Sequence, residues 1–178
     1  MTDKKTREEQ INLIRRSTAD WNAWRAGRTD RANLVDADLR DADLQDADLR
    51  DANLADANLA YTNLAFANLM RANLADANLE GANLAYANLE GAKLANAKLA
   101  DAKLGEHIKI VHLVCRAIRS DDYTFFGFVT NAGLRIKAGC RLMTPDEYRE
   151  HVADEYPDTP KAMETLSIIK YLEDCGNG

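Results

Sequence analysis

Two of the three histidines and two of the three cysteines in this chain have side chains of the types that bind zinc. They are His112, Cys115, Cys140 and His151. His112 and Cys115 stand three residues apart in a stretch with the composition of a strand, so their side chains should point to opposite faces. Neither short pair has the close spacing of a zinc knuckle. The sequence therefore predicts structural roles for these residues and no metal site.

Cys140 and His151 could also form a nucleophile and its base. A catalytic cysteine needs a thiolate activated by such a base, whereas a thiol buried in a core is the commoner arrangement. The chain lacks a glycine-rich loop that would cradle a phosphate. An interior of leucine and alanine would leave no pocket of the ~300 Å³ that a small ligand requires. The sequence predicts a protein that is not an enzyme, with no catalytic residues and no cofactor.

The composition favours a cytoplasmic protein of a bacterium or a phage-infected cell. Three cysteines are an odd, sparse set, as expected for free thiols in a reducing compartment. No apolar stretch is long enough to span a bilayer, and the first residues lack the apolar region of a signal peptide. The net charge is −6, whereas direct binding to a nucleic-acid backbone needs clustered Lys and Arg. The expected partner is therefore another protein with a basic surface, not nucleic acid or a membrane.

Leucine recurs at every fifth position from Leu34 to Leu104, and alanine stands two residues before each leucine except where Thr62 replaces it. Leucines five apart on a helix would scatter around its circumference, and on a flat strand they would alternate between faces. All of them can face one interior only if the chain turns a corner every five residues. The period therefore predicts a solenoid in which each pentapeptide forms one wall.

The repeats resemble the pentapeptide-repeat family, whose consensus is A(D/N)LXX. Matching segments are ADLRD at 37–41, ADLQD at 42–46, ANLAD at 52–56 and 72–76, and ANLAY at 57–61 and 82–86. The resemblance implies a mainly β fold, a right-handed quadrilateral β-helix with four pentapeptides per coil. Residues 31–105 would then form just under four coils, roughly 18 Å tall at ~4.8 Å between stacked strands.

Open edges at both ends of such a solenoid need covering. Residues 1–30 are predicted to form a capping helix that begins at a Thr6/Glu9 capping box and ends near Gly27. Trp21 and Trp24 would form a hydrophobic lid or, alternatively, an exposed binding surface. Residues 106–178 are predicted to form a small α+β module on the last coil. Its strands are expected at 108–118, 123–130 and 134–138, and its two helices after Thr144 and Thr159.

The segment AGCRLMTPDEYREH (138–151) resembles a module of small phage-encoded and bacterial proteins of unassigned function. The matching elements are Tyr123, Gly139-Cys140-Arg141, the acidic helix start and His151, whereas Val152 stands where a tryptophan is expected. This resemblance implies no chemistry.

Residues twenty apart should stack on neighbouring coils. One column then holds Asp36, Asp56 and Asp76, whose carboxylates would repel one another by about 1 kcal/mol per neighbouring pair in water-like surroundings. The column is either a solvated corner or a docking strip for Lys, Arg or a cation. The residue immediately before each leucine also changes in charge from the first coil to the last. An acidic rim at one end holds Asp38, Asp43 and Asp48, and a basic rim at the other holds Lys93, Lys98 and Lys103.

Aromatic residues form a second feature of the solenoid surface. Phe66 and Tyr86 fall in one column, with Tyr61 on the neighbouring wall. They could contact the protein's own C-terminal helices or a partner.

These features predict a non-catalytic interaction or scaffold protein, bacterial or phage-encoded, that presents an acidic solenoid to a partner. The alternative is a DNA-mimic modulator of DNA gyrase or another DNA-binding protein, as the family resemblance suggests. A rod of roughly 18 Å matches only about five base pairs at ~3.4 Å each, and a module at one end would prevent its extension. The sequence is also compatible with a homo-oligomer.

Overall fold

The computed structural model describes residues 5–176, apart from the side chains of His112 and Val114. The zinc hypothesis for His112 therefore lies outside the described residues. The N-terminal segment forms two helices, α1 (Arg7–Arg16) and α2 (Thr18–Arg25), where the sequence predicted one. The break falls at Ser17, whose extended backbone ends α1 and whose hydroxyl accepts from the Asp20 N–H at 3.1 Å to begin α2.

Residues 31–105 coil into a solenoid whose backbone pairs residues twenty apart, for example Asn33 with Asn53. The Leu34 N–H donates to the Asn53 carbonyl at 2.8 Å, and the Asn53 N–H donates to the Ala32 carbonyl at 2.8 Å. Each coil thus contains four pentapeptides, as the family resemblance implies. All fifteen repeat leucines are buried, and so are twelve of the fourteen repeat alanines, Ala42 and Ala97 being half-buried. Burial of these side chains is the main favourable term for the solenoid.

Tight turns join the walls. The N–H of each alanine from Ala37 to Ala102, and of Thr62, donates to the carbonyl of the leucine three residues earlier. The residue before that alanine has φ between 54° and 66°. Asp, Asn and Gly adopt this left-handed conformation at least cost, and they occupy ten of these fourteen corner positions. Larger side chains stand at the other four, which are Tyr61, Phe66, Arg71 and Tyr86.

Four columns of corner residues follow one another around the coil. The arginine corner holds Asp51, Arg71 and Gly91 with Arg31 ahead of them, and the acidic corner holds Asp36, Asp56, Asp76 and Asn96. The third corner holds Asp41, Tyr61, Gly81 and Asp101, and the aromatic corner holds Asp46, Phe66 and Tyr86. The acidic and aromatic corners are therefore diagonally opposite.

The C-terminal module is an antiparallel sheet of five strands in the order β1-β2-β3-β4-β5, followed by two helices. The strands are β1 (Lys103–Gly105), β2 (Ile108–Ile118), β3 (Thr124–Thr130), β4 (Gly133–Ala138) and β5 (Arg141–Met143). The helices are α3 (Pro145–Glu155) and α4 (Pro160–Gly176). The sequence predicted three of these strands and missed the short β1 and β5.

This sheet lies between the solenoid and the two helices. Phe126 and Phe128 of β3 pack into the leucine core, whereas Phe125 packs with Ile169 and Leu172 of α4. The Ile110 N–H donates to the Ala102 carbonyl at 2.8 Å, so β2 continues the hydrogen bonding of the last wall. The module is thus packed on the last coil, as expected. Within residues 5–176, the helices are too short or too polar to cross a membrane.

Candidate functional site

The N-terminal helices bind the first coil through side chains that replace a missing neighbouring coil. Trp21 is fully buried, and its indole N–H donates to the Asp48 carbonyl at 2.9 Å. The Asn22 amide donates to the Asp46 carbonyl at 3.0 Å and accepts from the Asp48 N–H at 2.7 Å. Trp24 packs on Trp21 with ring centroids 5.1 Å apart. Trp21 therefore lies in the core and not on a binding surface.

The acidic corner presents its carboxylates to solvent. Asp36, Asp56 and Asp76 are exposed, and no ion pair engages them among residues 5–176. The Asp76 carboxylate accepts one hydrogen bond from the Asn96 amide at 3.1 Å. The backbone N–H of Asp36 and of Asp56 donates to the next coil at 3.0 Å, which fixes the stacking of these positions. The corner is a negative strip that the chain itself leaves without a cation.

The carboxylates of the acidic rim are less available to a partner than the sequence suggests. Arg40 binds Asp38 through Nε at 2.8 Å and Nη2 at 2.7 Å, and this pair lowers the pKa of Asp38 to about 2. Arg50 binds Asp48 in the same way and lowers its pKa. Asp43 accepts from the Asn63 amide at 2.9 Å. Two of the three rim carboxylates thus already have their own guanidinium partner.

The aromatic corner is open to solvent. The rings of Phe66 and Tyr86 stack with centroids 4.9 Å apart and planes 12° apart, and they are 54% and 58% exposed. Helices α3 and α4 pack on the sheet, and the exposure of both rings shows that the helices do not cover them. Tyr61 is 62% exposed and lies over Gly81, where an added Cβ would come within 2.5 Å of its ring. The three aromatic residues therefore do not form part of the protein's own core.

The acidic and aromatic residues do not form one patch, because they lie on opposite corners. A single flat partner surface can contact one of them at a time. The five-residue period together with the four walls per coil implied by the resemblance places these columns, but their exposure and the internal pairing of the rim depend on side-chain contacts.

The cysteines and the remaining histidine candidate lie in the C-terminal module. Cys140 is exposed, whereas burial and the neighbouring Cys175 thiol raise the pKa of Cys115 to about 12. His151 packs edge-on to Tyr148 and Tyr156, 6.3 Å from each ring centroid. Within the described part of the chain, no three His, Cys, Asp or Glu side chains are grouped as metal ligands.

A cleft of about 190 Å³ in this module gathers Tyr123, Arg141 and His151, three of the residues that the second resemblance singled out. Arg119 forms its wall, bonded to Asp121 through Nε and Nη2 at 2.8 Å each and to Thr165 through Nη1 at 3.0 Å. All of its nitrogens are thus engaged within the module. Arg119 positions the loop before β3 and is not free for a ligand.

A second cleft, of about 380 Å³, lies between the end of α2 and the arginine corner. The sequence predicted the absence of a pocket only for the packed interior, and this cleft lies outside that interior. The stacking of repeats could have placed Arg31 and Arg71 in one column. The other arginines of the cleft come from the N-terminal cap and from a solenoid wall, outside that column. The residues that line the cleft are Arg25, Arg28, Thr29, Arg31, Arg50, Asp51 and Arg71.

A family model described as pentapeptide repeats matches the chain in eight copies over residues 37–74 and 72–106. The chain is similar to a pentapeptide repeat protein of the Arabidopsis thaliana thylakoid lumen, with 34% identity and a TM-score of 0.34. That match covers 41% of this chain and 52% of the other. A pentapeptide repeat protein from Nostoc PCC 7120 shows 46% identity over 46% of this chain and 73% of its own, with a TM-score of 0.29.

HetL, a pentapeptide repeat protein involved in heterocyst differentiation regulation in Nostoc sp. strain PCC 7120, is 34% identical over 40% of this chain, with a TM-score of 0.23. The chain spans about half the length of the thylakoid lumen protein and of HetL. A comparison with curated proteins gives no match. These findings confirm the resemblance of the repeats but not that of the C-terminal module.

Proposed function

Because this chain belongs to the pentapeptide-repeat family, we propose that it is a non-catalytic interaction or scaffold protein that presents its acidic corner to a basic partner protein. The family's repeats build a right-handed quadrilateral β-helix, which is a rigid rod with regularly spaced surface side chains. Such a rod offers a surface for binding, and its core of leucine and alanine leaves no interior site for chemistry.

One contrast carries the proposal. The chain supplies arginines to Asp38, Asp48 and Asp51, but it supplies none to the acidic corner. Stacked carboxylates at ~4.8 Å repel by about 1 kcal/mol per neighbouring pair at the surface. A partner that places Lys or Arg along Asp36, Asp56 and Asp76 would relieve this repulsion. Electrostatic attraction of this kind acts mainly on the association rate.

The aromatic corner supports a second contact of the same scaffold. Phe66 and Tyr86 are bulky residues held at φ of 60° and 58°, where Asp, Asn or Gly would fit with less strain. Large exposed aromatic side chains are enriched at protein interfaces. Since this corner is diagonal to the acidic one, it would bind a different part of the partner or a different protein.

The test compares three forms of the tagged protein as bait in a bacterial lysate, with mass spectrometry of what they retain. The first is wild type and the second carries Asp36→Asn, Asp56→Asn and Asp76→Asn. The third is a charge-matched control that changes three exposed acids outside the acidic and aromatic corners, with the substitutions Asp41→Asn, Glu80→Gln and Asp101→Asn. Purified partners are then measured for association rate across a salt series.

We expect the acidic-corner variant to associate more slowly and to lose its salt dependence, because screening acts on the charges that were removed. The control should behave like wild type. Equal binding by all three forms at every salt concentration would mean that the acidic corner is only a solvated surface.

The same three protein forms also test the DNA-mimic alternative. The arginines on Asp38, Asp48 and Asp51 reduce the phosphate-like charge of the rod, which argues against it. If the wild-type protein alters supercoiling by DNA gyrase and the acidic-corner variant does not, the mimic is favoured over the scaffold.

We also propose that residues 1–30, 31–105 and 106–178 form three units, although β1 (Lys103–Gly105) of the C-terminal sheet begins within the second. Excision of each unit tests this division. A cytoplasmic location rests on the sparse, free cysteines. Measurement of the mass in solution tests for self-association.

A further inference from the structure

The cleft at the arginine corner concentrates positive charge on an otherwise acidic protein. Five guanidinium groups line it, from Arg25, Arg28, Arg31, Arg50 and Arg71. Three carboxylates pair with members of this group, namely Asp30 with Arg28, Asp48 with Arg50 and Asp51 with Arg71. These three pairs leave Arg25 and Arg31 without an ion-pair partner among residues 5–176.

Several donors of this cluster are not used by the pairs. Arg50 and Arg71 bind their carboxylates through Nε and Nη2, which leaves Nη1 of each without a partner within residues 5–176. Arg31 is exposed and makes no hydrogen bond or ion pair there. Guanidinium forks of this kind match the oxygens of phosphate and carboxylate groups.

Arg25 gives the cleft a fixed wall. Its side chain is only 3% exposed, and it donates to the Asp30 carbonyl at 2.7 Å and to the Arg50 carbonyl at 2.9 Å. Its Nε is buried with no partner in the described structure. A buried cation with an unsatisfied donor is costly unless an anion lies nearby. The Asp48 and Asp51 carboxylates interact with this cation electrostatically but do not bond its Nε, so the position where the cap helix meets the solenoid wall favours a further anion.

We propose that the cleft formed by Arg25, Arg31, Arg50 and Arg71 binds the phosphate group of a small phosphate monoester. A monoester carries a charge of about −2 at pH 7, which matches the two guanidinium charges of Arg25 and Arg31 that have no ion-pair partner, whereas a carboxylate or a phosphodiester carries one charge. The volume of about 380 Å³ is at the lower end of the ~300–1,000 Å³ of small-molecule sites. It accommodates a phosphate with a modest organic group.

Calorimetric titration of the full chain with phenyl phosphate at pH 7.5 and low salt tests this site. We expect saturable binding with one site per chain. Arg31→Gln and Arg71→Gln should each weaken binding about ten-fold, which is ~1.4 kcal/mol. Arg31→Gln removes no hydrogen bond or ion pair of the described structure, so its effect reports on the ligand and not on folding. Binding should also weaken at pH 5, where the monoester carries one charge fewer.

Arg40→Gln is the matched control, because Arg40 makes the same two-pronged pair with Asp38 as Arg50 makes with Asp48 but lies outside the cleft. It should leave phenyl phosphate binding unchanged. Dimethyl phosphate and benzoate, with one charge each, should bind at least ten-fold more weakly than phenyl phosphate.

Three results would overturn the proposal. One is the absence of saturable phenyl phosphate binding by the wild-type chain. Another is an equal loss of binding in Arg40→Gln and Arg31→Gln, which would indicate nonspecific attraction. The last is dimethyl phosphate binding as tightly as phenyl phosphate, which would point to the phosphodiester backbone of a nucleic acid.

Discussion

Lys137 is a buried cation that should weaken the fold, and replacing it with methionine should stabilise the protein. Its side chain is fully buried in β4, and its Nζ has no hydrogen-bond partner among the described residues. It pairs across the sheet with Phe126 and Leu142, which both pack against the leucine core. The ammonium therefore lies between the sheet and the solenoid. Burial lowers the Lys137 pKa from 10.5 to about 8.

This pKa change sets the size and the pH range of the effect. Below pH 8 the lysine is protonated in both the folded and the unfolded chain, and burying the charge costs about 3 kcal/mol. Between pH 8 and 10.5 the folded protein loses this proton first, so the unfolded chain binds more protons. Stability from this group therefore rises with pH across that window. Methionine has a similar length without the charge and should fit the same space.

Urea unfolding followed by far-UV circular dichroism at pH 7 and pH 10 measures the effect. We expect Lys137→Met to be about 3 kcal/mol more stable than wild type at pH 7, as an upper value. That difference should shrink by about 2 kcal/mol at pH 10. The control is Lys109→Met, an exposed lysine on β2, which should change stability by less than ~0.5 kcal/mol at both pH values.

The reasoning would be refuted if Lys137→Met were less stable than wild type at pH 7. It would also be refuted if the difference between the two proteins were the same at pH 7 and pH 10, because a buried charge must lose its cost once it is neutral.

Further predictions concern the core, the corners and the thiols. Leu69→Asp should destabilise the solenoid by several kcal/mol in urea unfolding, because it buries an unpaired charge at a fully buried position; full stability would contradict the inward-facing leucine column. Gly81→Ala should cost at least ~1 kcal/mol, since its Cβ would meet the Tyr61 ring and its φ is +65°. Tyr61→Ala should recover part of that loss in a double-mutant cycle, and no recovery would mean that strain at φ alone is responsible. A thiol reagent at pH 8 should modify the exposed Cys140 well before Cys115, whose pKa burial raises to about 12. The reverse order on peptide mapping would contradict this placement.

Most of the solenoid was accessible from the sequence, because its contacts repeat. A five-residue period permits one inward face, and a twenty-residue stack then follows from four walls per coil. Ten of the fourteen corner residues are Asp, Asn or Gly, which tolerate a left-handed backbone. Capping boxes at Thr6 and Thr144 were also local patterns, and both form as expected.

The candidate sites were only partly predictable. The column of Asp36, Asp56 and Asp76 follows from the period, but the neutralisation of Asp38 and Asp48 depends on the rotamers of Arg40 and Arg50. No sequence pattern indicates which charged neighbours will point toward each other. The sequence also predicted one N-terminal helix, whereas Ser17 ends a first short helix and caps a second.

The sequence by itself determined the solenoid, its inward leucines and its stacked corners, because these depend on contacts that recur at a fixed spacing. Only the tertiary structure decided that Lys137 is buried and that the arginines form a cleft. Side chains alternate between the two faces of β4, so Lys137 lies on the other face of the sheet from Ile136 and Ala138. That face would be solvated in an isolated sheet. The last coil covers that face. Arg25 likewise meets Arg31 and Arg71 because α2 packs on the first coil. Contacts between a repeat and its non-repeating ends have no period, so packing alone determines them.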